Sequence, residues 1–180
     1  MKPDEIKLQF DFNYWLSARI LAACEKVTPA QYVAAPPLDL GIKSLRWCVV
    51  HALSTERQWR LLCRGYFATR RSQMAEDEAN YTEERLPTLE VLKETSQVEQ
   101  LQMRAFLDTL DEEKLAGTVH YVSESGAVES HVMWHCLYNI LLHGTQHRAE
   151  AAALLTLYGA SPGDLDFAEF MNERFGRVPD

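Results

Sequence analysis

Apolar positions along the chain recur mostly at three- and four-residue steps, the spacing of one face of an α-helix, and four long segments carry this period. The first runs from about Glu5 to Glu25, where Phe10, Tyr14, Ser17, Ile20, Leu21 and Cys24 form one stripe. It stops at Thr28-Pro29, where Thr28 is placed to cap a short turn through Gln31; Pro36-Pro37 and Gly41 then break the chain. A second helix is predicted from an N-cap at Ser44 to Arg64, closed by Gly65. Its inward face reads Trp47, Val50, His51, Ser54, Gln58 and Leu61-Leu62. A polar loop follows from about Tyr66 to Leu86. Thr88 then caps a third helix without a capping box, because Val91 stands at the third position. The stripe of this helix is Leu92, Thr95 or Val98, Leu101-Gln102, Ala105-Phe106 and Leu110, with Gly117 past its end.

Residues 118–130 break the helical period. Thr118-Val119-His120-Tyr121-Val122 is β-branched and aromatic, Ser123-Glu124-Ser125-Gly126 is turn chemistry, and Ala127-Val128-Glu129 can return as a second strand. The fourth helix is expected from about Ser130 to Tyr158, ended by Gly159 with Pro162 beyond, and a short tail carries Phe167, Phe170 and Met171. The predicted fold is therefore all-α: a four-helix bundle with a small hairpin or extended excursion before the last long helix. Without a repeat, a low-complexity tract or a Gly/Ser linker, residues 1–180 read as a single domain.

Composition changes this picture little. Apolar residues make up 47% and charged residues 24%, ordinary for a globular domain. The net charge of −8 repels phosphate backbones and argues against a nucleic-acid partner. The one basic cluster, Arg70-Arg71 with Arg64, is followed by Glu76-Asp77-Glu78 and reads as a solvated loop. The N-terminus Met1-Lys2-Pro3-Asp4-Glu5 lacks a signal-peptide pattern, and no apolar run approaches the roughly 18 residues of a membrane span. The expectation is a cytoplasmic protein without a membrane partner. Cys24, Cys48, Cys63 and Cys136 have no CxxC spacing and sit in apolar helical patterns, as buried free thiols do.

The chemistry concentrates in histidines. In His143-Gly144-Thr145-Gln146-His147 the two imidazoles are four residues apart, about 40° round a helix and about 6 Å along it, so both leave one face. HxxxH by itself is a loose motif. These two, however, lie between Leu141-Leu142 and the run from Ala149 to Leu155, where polar rings need partners. His51 lies in an equally apolar helix, Trp47-Cys48-Val49-Val50-His51-Ala52-Leu53. Three histidines able to converge in mid-bundle are best explained by one shared divalent transition metal. Three neutral nitrogens would leave a coordination position open for water or substrate. Histidine ligands suit zinc, nickel, iron or copper, so the metal stays open. His131 and His135, a second i,i+4 pair expected on the same helix, lie too far along it to share an ion with His147 and read as capping or surface residues. His120 belongs to the hairpin. Gly144 leaves room for a neighbouring helix or a substrate to approach.

At these residues the chain resembles the DinB-like proteins, a superfamily of four-helix bundles. The resemblance rests on His51-Ala52-Leu53-Ser54-Thr55-Glu56-Arg57-Gln58-Trp59, on His143-Gly144-Thr145-Gln146-His147-Arg148, and on the tail Pro162-Gly163-Asp164-Leu165-Asp166-Phe167. It departs from the common pattern at Leu142, where the family often has Asn, and at Arg148-Ala149-Glu150, where it often has Arg-Gly-Gln. The resemblance implies that His51, His143 and His147 are the metal ligands. It also implies metal-dependent transfer of a low-molecular-weight thiol of the bacillithiol or mycothiol type, or thiol-dependent isomerisation.

Around this site, Glu56 is expected to pair with Arg60 at i+4 rather than ligate, since it stands about 140° from His51. Tyr14, Trp15, Trp47, Trp59 and Trp134 read as core or pocket wall. Arg148, Glu150, Asp164 and Asp166 are candidates for orienting a ligand or capping a helix end. Three functions fit: a metal-dependent thiol transferase acting on small electrophilic or xenobiotic substrates, a metal-dependent hydrolase, and a non-catalytic metal- or ligand-binding bundle. Apolar tail residues such as Phe167 and Phe170 favour a homodimer.

Overall fold

Caps start the helices where short polar side chains precede apolar periods. Ser44 Oγ accepts a hydrogen bond from the Trp47 amide at 3.0 Å, and Thr88 Oγ1 accepts one from the Val91 amide at 3.3 Å. Thr28 and Gln31 form a full capping box over a single helical turn. In the computed structural model, which describes residues 1–36, 41–65, 81–123 and 125–176, these signals become α1 (Pro3–Cys24), α2 (Pro29–Val33), α3 (Leu45–Cys63) and α4 (Leu89–Leu107). A short α5 (Glu112–Ala116) leads to the strands β1 (Thr118–Val122) and β2 (Val128–Val132), then to α6 (Met133–Leu157) and α7 (Phe167–Phe175). The protein is mostly helical, with one two-stranded antiparallel sheet. The long helices pack as a bundle: α3 lies along α6, α6 along α1, and α4 bridges α1 and α3. No described helix is long and apolar enough to cross a membrane.

Three expectations change. The last long helix begins at Met133 rather than Ser130, because Val128–Val132 spends its backbone hydrogen bonds on β1, with His131 opposite Val119 and Ser130 opposite His120. His131 and His135 are therefore not a helical pair: the first is on a strand, the second on the exposed first turns of α6. The inward face of α4 is also rotated from the apolar reading. Val98 and Leu101 are 50% and 67% exposed, while Leu92, Glu99, Met103, Phe106 and Leu107 are buried. Glu99 is the cause: it is fully buried against Arg60 of α3 at the same level, so a charged residue occupies a core position. Finally, the tail aromatics are used inside the chain. Asp166 caps α7 through the Ala168 amide, and Phe170, 3% exposed, packs with Phe167 on Phe12 of α1. Phe167 and Phe170 are thus occupied by α1, while Met171 and Phe175 are 40% and 64% exposed.

The core has two parts, one around Ile20, Leu45, Cys48, Leu92 and Leu155, the other around Ile6, Phe10, Met103, Leu107 and Leu137. All four cysteines are buried and free, and burial pushes the Cys24 and Cys48 thiols up to about 12. They behave as core residues. The loop expected from Tyr66 lies outside the described residues up to position 80, as do Arg70-Arg71, Glu76-Asp77-Glu78 and the break at Pro37.

Candidate metal centre

Between the two core regions, α3 and α6 face each other along their length and carry the three histidines there. His51 stands about a third of the way along α3, one turn after Trp47, whose indole stacks on its ring at 4.9 Å and 8°. His143 and His147 leave α6 one turn apart, with ring centroids 4.5 Å from each other. The His51 ring lies 5.0 Å from that of His143 and 4.7 Å from that of His147. One donor nitrogen from each of the three falls within 4.8 Å of the others. Among the described residues this is the one group of its kind. His147 is 5% exposed, whereas His51 and His143 are half-buried, so the cluster has a dry base and an accessible side.

The surroundings fit a metal. His147 Nδ1 lies 2.6 Å from Glu150 Oε2. A carboxylate only accepts, so Nδ1 carries a proton and Nε2 is the nitrogen left for an ion. Thr55 Oγ1, 3.1 Å from His143 Nε2, holds the second ring in place from α3. Trp47 walls the site, edge-on to His147 and flat on His51. Three imidazoles suit a borderline ion bound at about 2.0–2.1 Å.

Several expectations resolve differently around this cluster. Glu56 does not pair with Arg60. It is 6% exposed and accepts from Tyr14 Oη at 2.8 Å and Asn13 Nδ2 at 3.2 Å, on a side of α3 turned away from His51. Arg60 instead donates to Glu99 and Gln102. Burial raises the Glu56 carboxyl above its ordinary value of 4.5, opposed by the Tyr14 hydrogen bond and by Arg148. The space at Gly144 is filled neither by a neighbouring helix nor by a substrate: a Cβ there would stand 2.6 Å from Arg148 Nη2. Arg148 folds back across this glycine and donates to Ser17 Oγ at 3.3 Å and to Asn13 Oδ1. Burial lowers the Arg148 guanidinium to about 10, with Glu56 holding it up. Asp164 and Asp166 serve the turn before α7, through the Asp166 and Ala168 amides, and not the cluster.

The other histidines stay apart. His120 Nδ1 lies 2.7 Å from Ser130 Oγ and His131 Nε2 lies 3.1 Å from Tyr121 Oη, both within the hairpin, and exposed His135 packs against Trp134. The sequence reading missed Thr55 and Asn13. Asn13 left a signal, a lone amide next to the Phe10–Tyr14–Ser17 stripe, where a buried polar group must find partners.

Among protein families, the model of the DinB superfamily matches residues 14–151, a span that holds all three histidines. The tail from Pro162 lies outside that match. No curated protein matches the chain.

Proposed function

This chain belongs to the DinB superfamily, and on that premise we propose that it binds one divalent transition metal, zinc or nickel, through His51, His143 and His147. We further propose that it uses this site to transfer a low-molecular-weight thiol to small electrophilic or xenobiotic substrates. The observation that carries the proposal is the approach of three imidazole nitrogens to within 4.8 Å of one another from two helices. An ion held by the three histidines would supply Lewis acidity that lowers the pKa of a bound thiol or water.

The chain's own residues do the rest. Glu150 fixes the tautomer and plane of His147, Thr55 steadies His143, and Trp47 gives the site an apolar wall. The half-buried edges of His51 and His143 leave access for a small molecule. Against hydrolysis stands the engagement of Glu150: its two oxygens are taken by His147 at 2.6 Å and by Gln146 at 3.2 Å, so it is not free to act as a general base on water.

Two measurements test this. Elemental analysis of protein purified without a polyhistidine tag is expected to find about one zinc or nickel per chain, and none in His51→Ala. The metal-loaded protein is then screened with bacillithiol, mycothiol, glutathione and cysteine against electrophiles such as monobromobimane. Conjugation faster than the uncatalysed rate, lost in His143→Ala, is the expected outcome. Metal at stoichiometry without conjugation by any thiol would leave a binding protein and reject the transferase; metal near zero would reject the site itself.

A further inference from the structure

The two helices that carry the histidines also bring a pair of cysteines together, at the end of the bundle next to the hairpin. Cys63 is the last residue of α3, and Cys136 lies in the first turn of α6. Both are buried in the core region around Phe10, Met103 and Leu137. Their thiols are in hydrogen-bond contact. The Cys63 S–H donates to the Cys136 sulfur, which holds the Cys136 thiol below its ordinary value of 9.0 against the opposing effect of burial. The same bond, reinforced by burial, pushes the Cys63 thiol up. One proton is thus shared between two sulfurs.

Cys63 and Cys136 are packed as core residues, yet they differ from Cys24 and Cys48 in two ways. Burial pushes Cys24 and Cys48 up to about 12, and Cys48 raises Cys24 further rather than lowering it. The second difference is access. A half-open cavity of about 610 Å³ is lined by Cys63, by Phe106 and Leu110, and by Met133, one turn before Cys136. A solute the size of a few water molecules reaches the Cys63 side of the pair through this cavity without opening the core.

We propose that Cys63 and Cys136 are a reversible dithiol–disulfide pair, oxidised by a small peroxide that enters through this cavity. The Cys136 thiolate attacks one oxygen of hydrogen peroxide, the O–O bond breaks, and a sulfenic acid forms. The departing hydroxide takes up the released proton and leaves as water. The Cys63 sulfur then attacks the sulfenic sulfur: the S–S bond forms, the S–O bond breaks, and the Cys63 proton leaves with that oxygen as a second water. Each sulfur gives up one electron, and the peroxide is reduced to two waters. The new bond ties the end of α3 to the start of α6 and closes the loop 64–135. Cys63 stands about 18 Å along α3 from His51, so the device does not depend on the metal reading.

The test is peroxide treatment of the native full chain, followed by blocking of free thiols in denaturant and mass spectrometry of the peptides. The chain is expected to lose two of its four free thiols and to yield one linked peptide pair, Cys63 with Cys136. Dithiothreitol is expected to restore all four. The oxidised chain is expected to melt roughly 5–15 °C higher than the reduced one, because the cross-link restricts the unfolded state. Cys63→Ala and Cys136→Ala are each expected to lose both the link and the Tm shift, whereas Cys24→Ala keeps both. Four free thiols after peroxide, a link between Cys24 and Cys48, a link between chains, or a sulfinic acid in place of the link would overturn the proposal. A lower Tm in the oxidised chain would do the same, since the sulfurs would then have been pulled out of their packing to meet. Should either alanine variant fail to fold, the peptide map of the wild-type chain still decides.

Discussion

His147 is held from behind. Its Nδ1–H donates to Glu150 one helical turn on, and that bond leaves Nε2 as the nitrogen available to an ion. Removing such a partner typically lowers metal affinity by about 10–100-fold without touching a ligand. Glu150→Ala is therefore expected to bind zinc that much more weakly in a competitive chelator titration, with Glu150→Gln between the two; an unchanged affinity for Glu150→Ala would deny it the role. Glu56 makes a different prediction. Burial raises its pKa above 4.5 in the folded protein. Between that value and the raised one the native state keeps a proton that the unfolded chain releases, so stability falls as pH rises through the window. Relative to Glu56→Gln, which cannot titrate, the wild-type chain should lose stability in urea unfolding as pH climbs from 4.5. Parallel pH profiles for the two proteins would contradict a raised pKa. At this scale the sequence was legible where chemistry is local. The i,i+4 spacing puts His143 and His147 on one face of any helix, whereas the partner of Glu56 sits on another helix, 42 residues away in the case of Tyr14.

The pairing of α3 with α4 depends on a buried ion pair. Arg60 is 1% exposed and donates through two nitrogens to the carboxylate of Glu99, which has no exposure at all. Taking one partner away leaves a charge in the core, and such losses cost about 3–5 kcal/mol. Glu99→Ala should destabilise the protein by that much in denaturant unfolding, while the double variant Arg60→Met, Glu99→Leu should lose far less, because neither fully buried charge remains and Arg57, 3.7 Å from Glu99 but partly exposed, keeps its hydrogen bond to Tyr81. A single variant costing under about 1 kcal/mol would show that water reaches Arg60. This pair also explains why α4 was the least legible helix. Its cap at Thr88 was readable, but a stripe counted from apolar residues alone follows Val98 and Leu101, and these face solvent. A similar competition set the start of α6: the apolar and histidine period fits a helix from Ser130, yet pairing with β1 claims the chain as far as Val132.

For the molecule as a whole, the two helices that supply the histidines are also those most extensively packed together, so an ion between them should bind the folded state alone. At a free concentration about 100 times its Kd, such a ligand adds about 2.7 kcal/mol. For a chain of this size that is roughly 5–10 °C in Tm. Zinc or nickel added to chelator-treated protein is expected to raise Tm by that amount and to leave His51→Ala unmoved; equal shifts in both would place the ion elsewhere. By itself the sequence determined the helical periods, their caps at Thr28, Ser44 and Thr88, the hairpin, and the three histidines as one candidate set. The periods, the caps, the hairpin and the His143/His147 pair follow from short-range spacing along a chain with fixed helical and strand geometry, while His51 joined that pair through its own apolar helix and the family resemblance. Only the tertiary structure decided that Arg148 fills the space at Gly144, that Glu56 faces a cavity, that Glu99 lies in the core, and that Phe170 packs on α1. Those outcomes turn on which helix meets which. Contacts between distant segments are set by packing the whole bundle at once, and no local pattern carries that information.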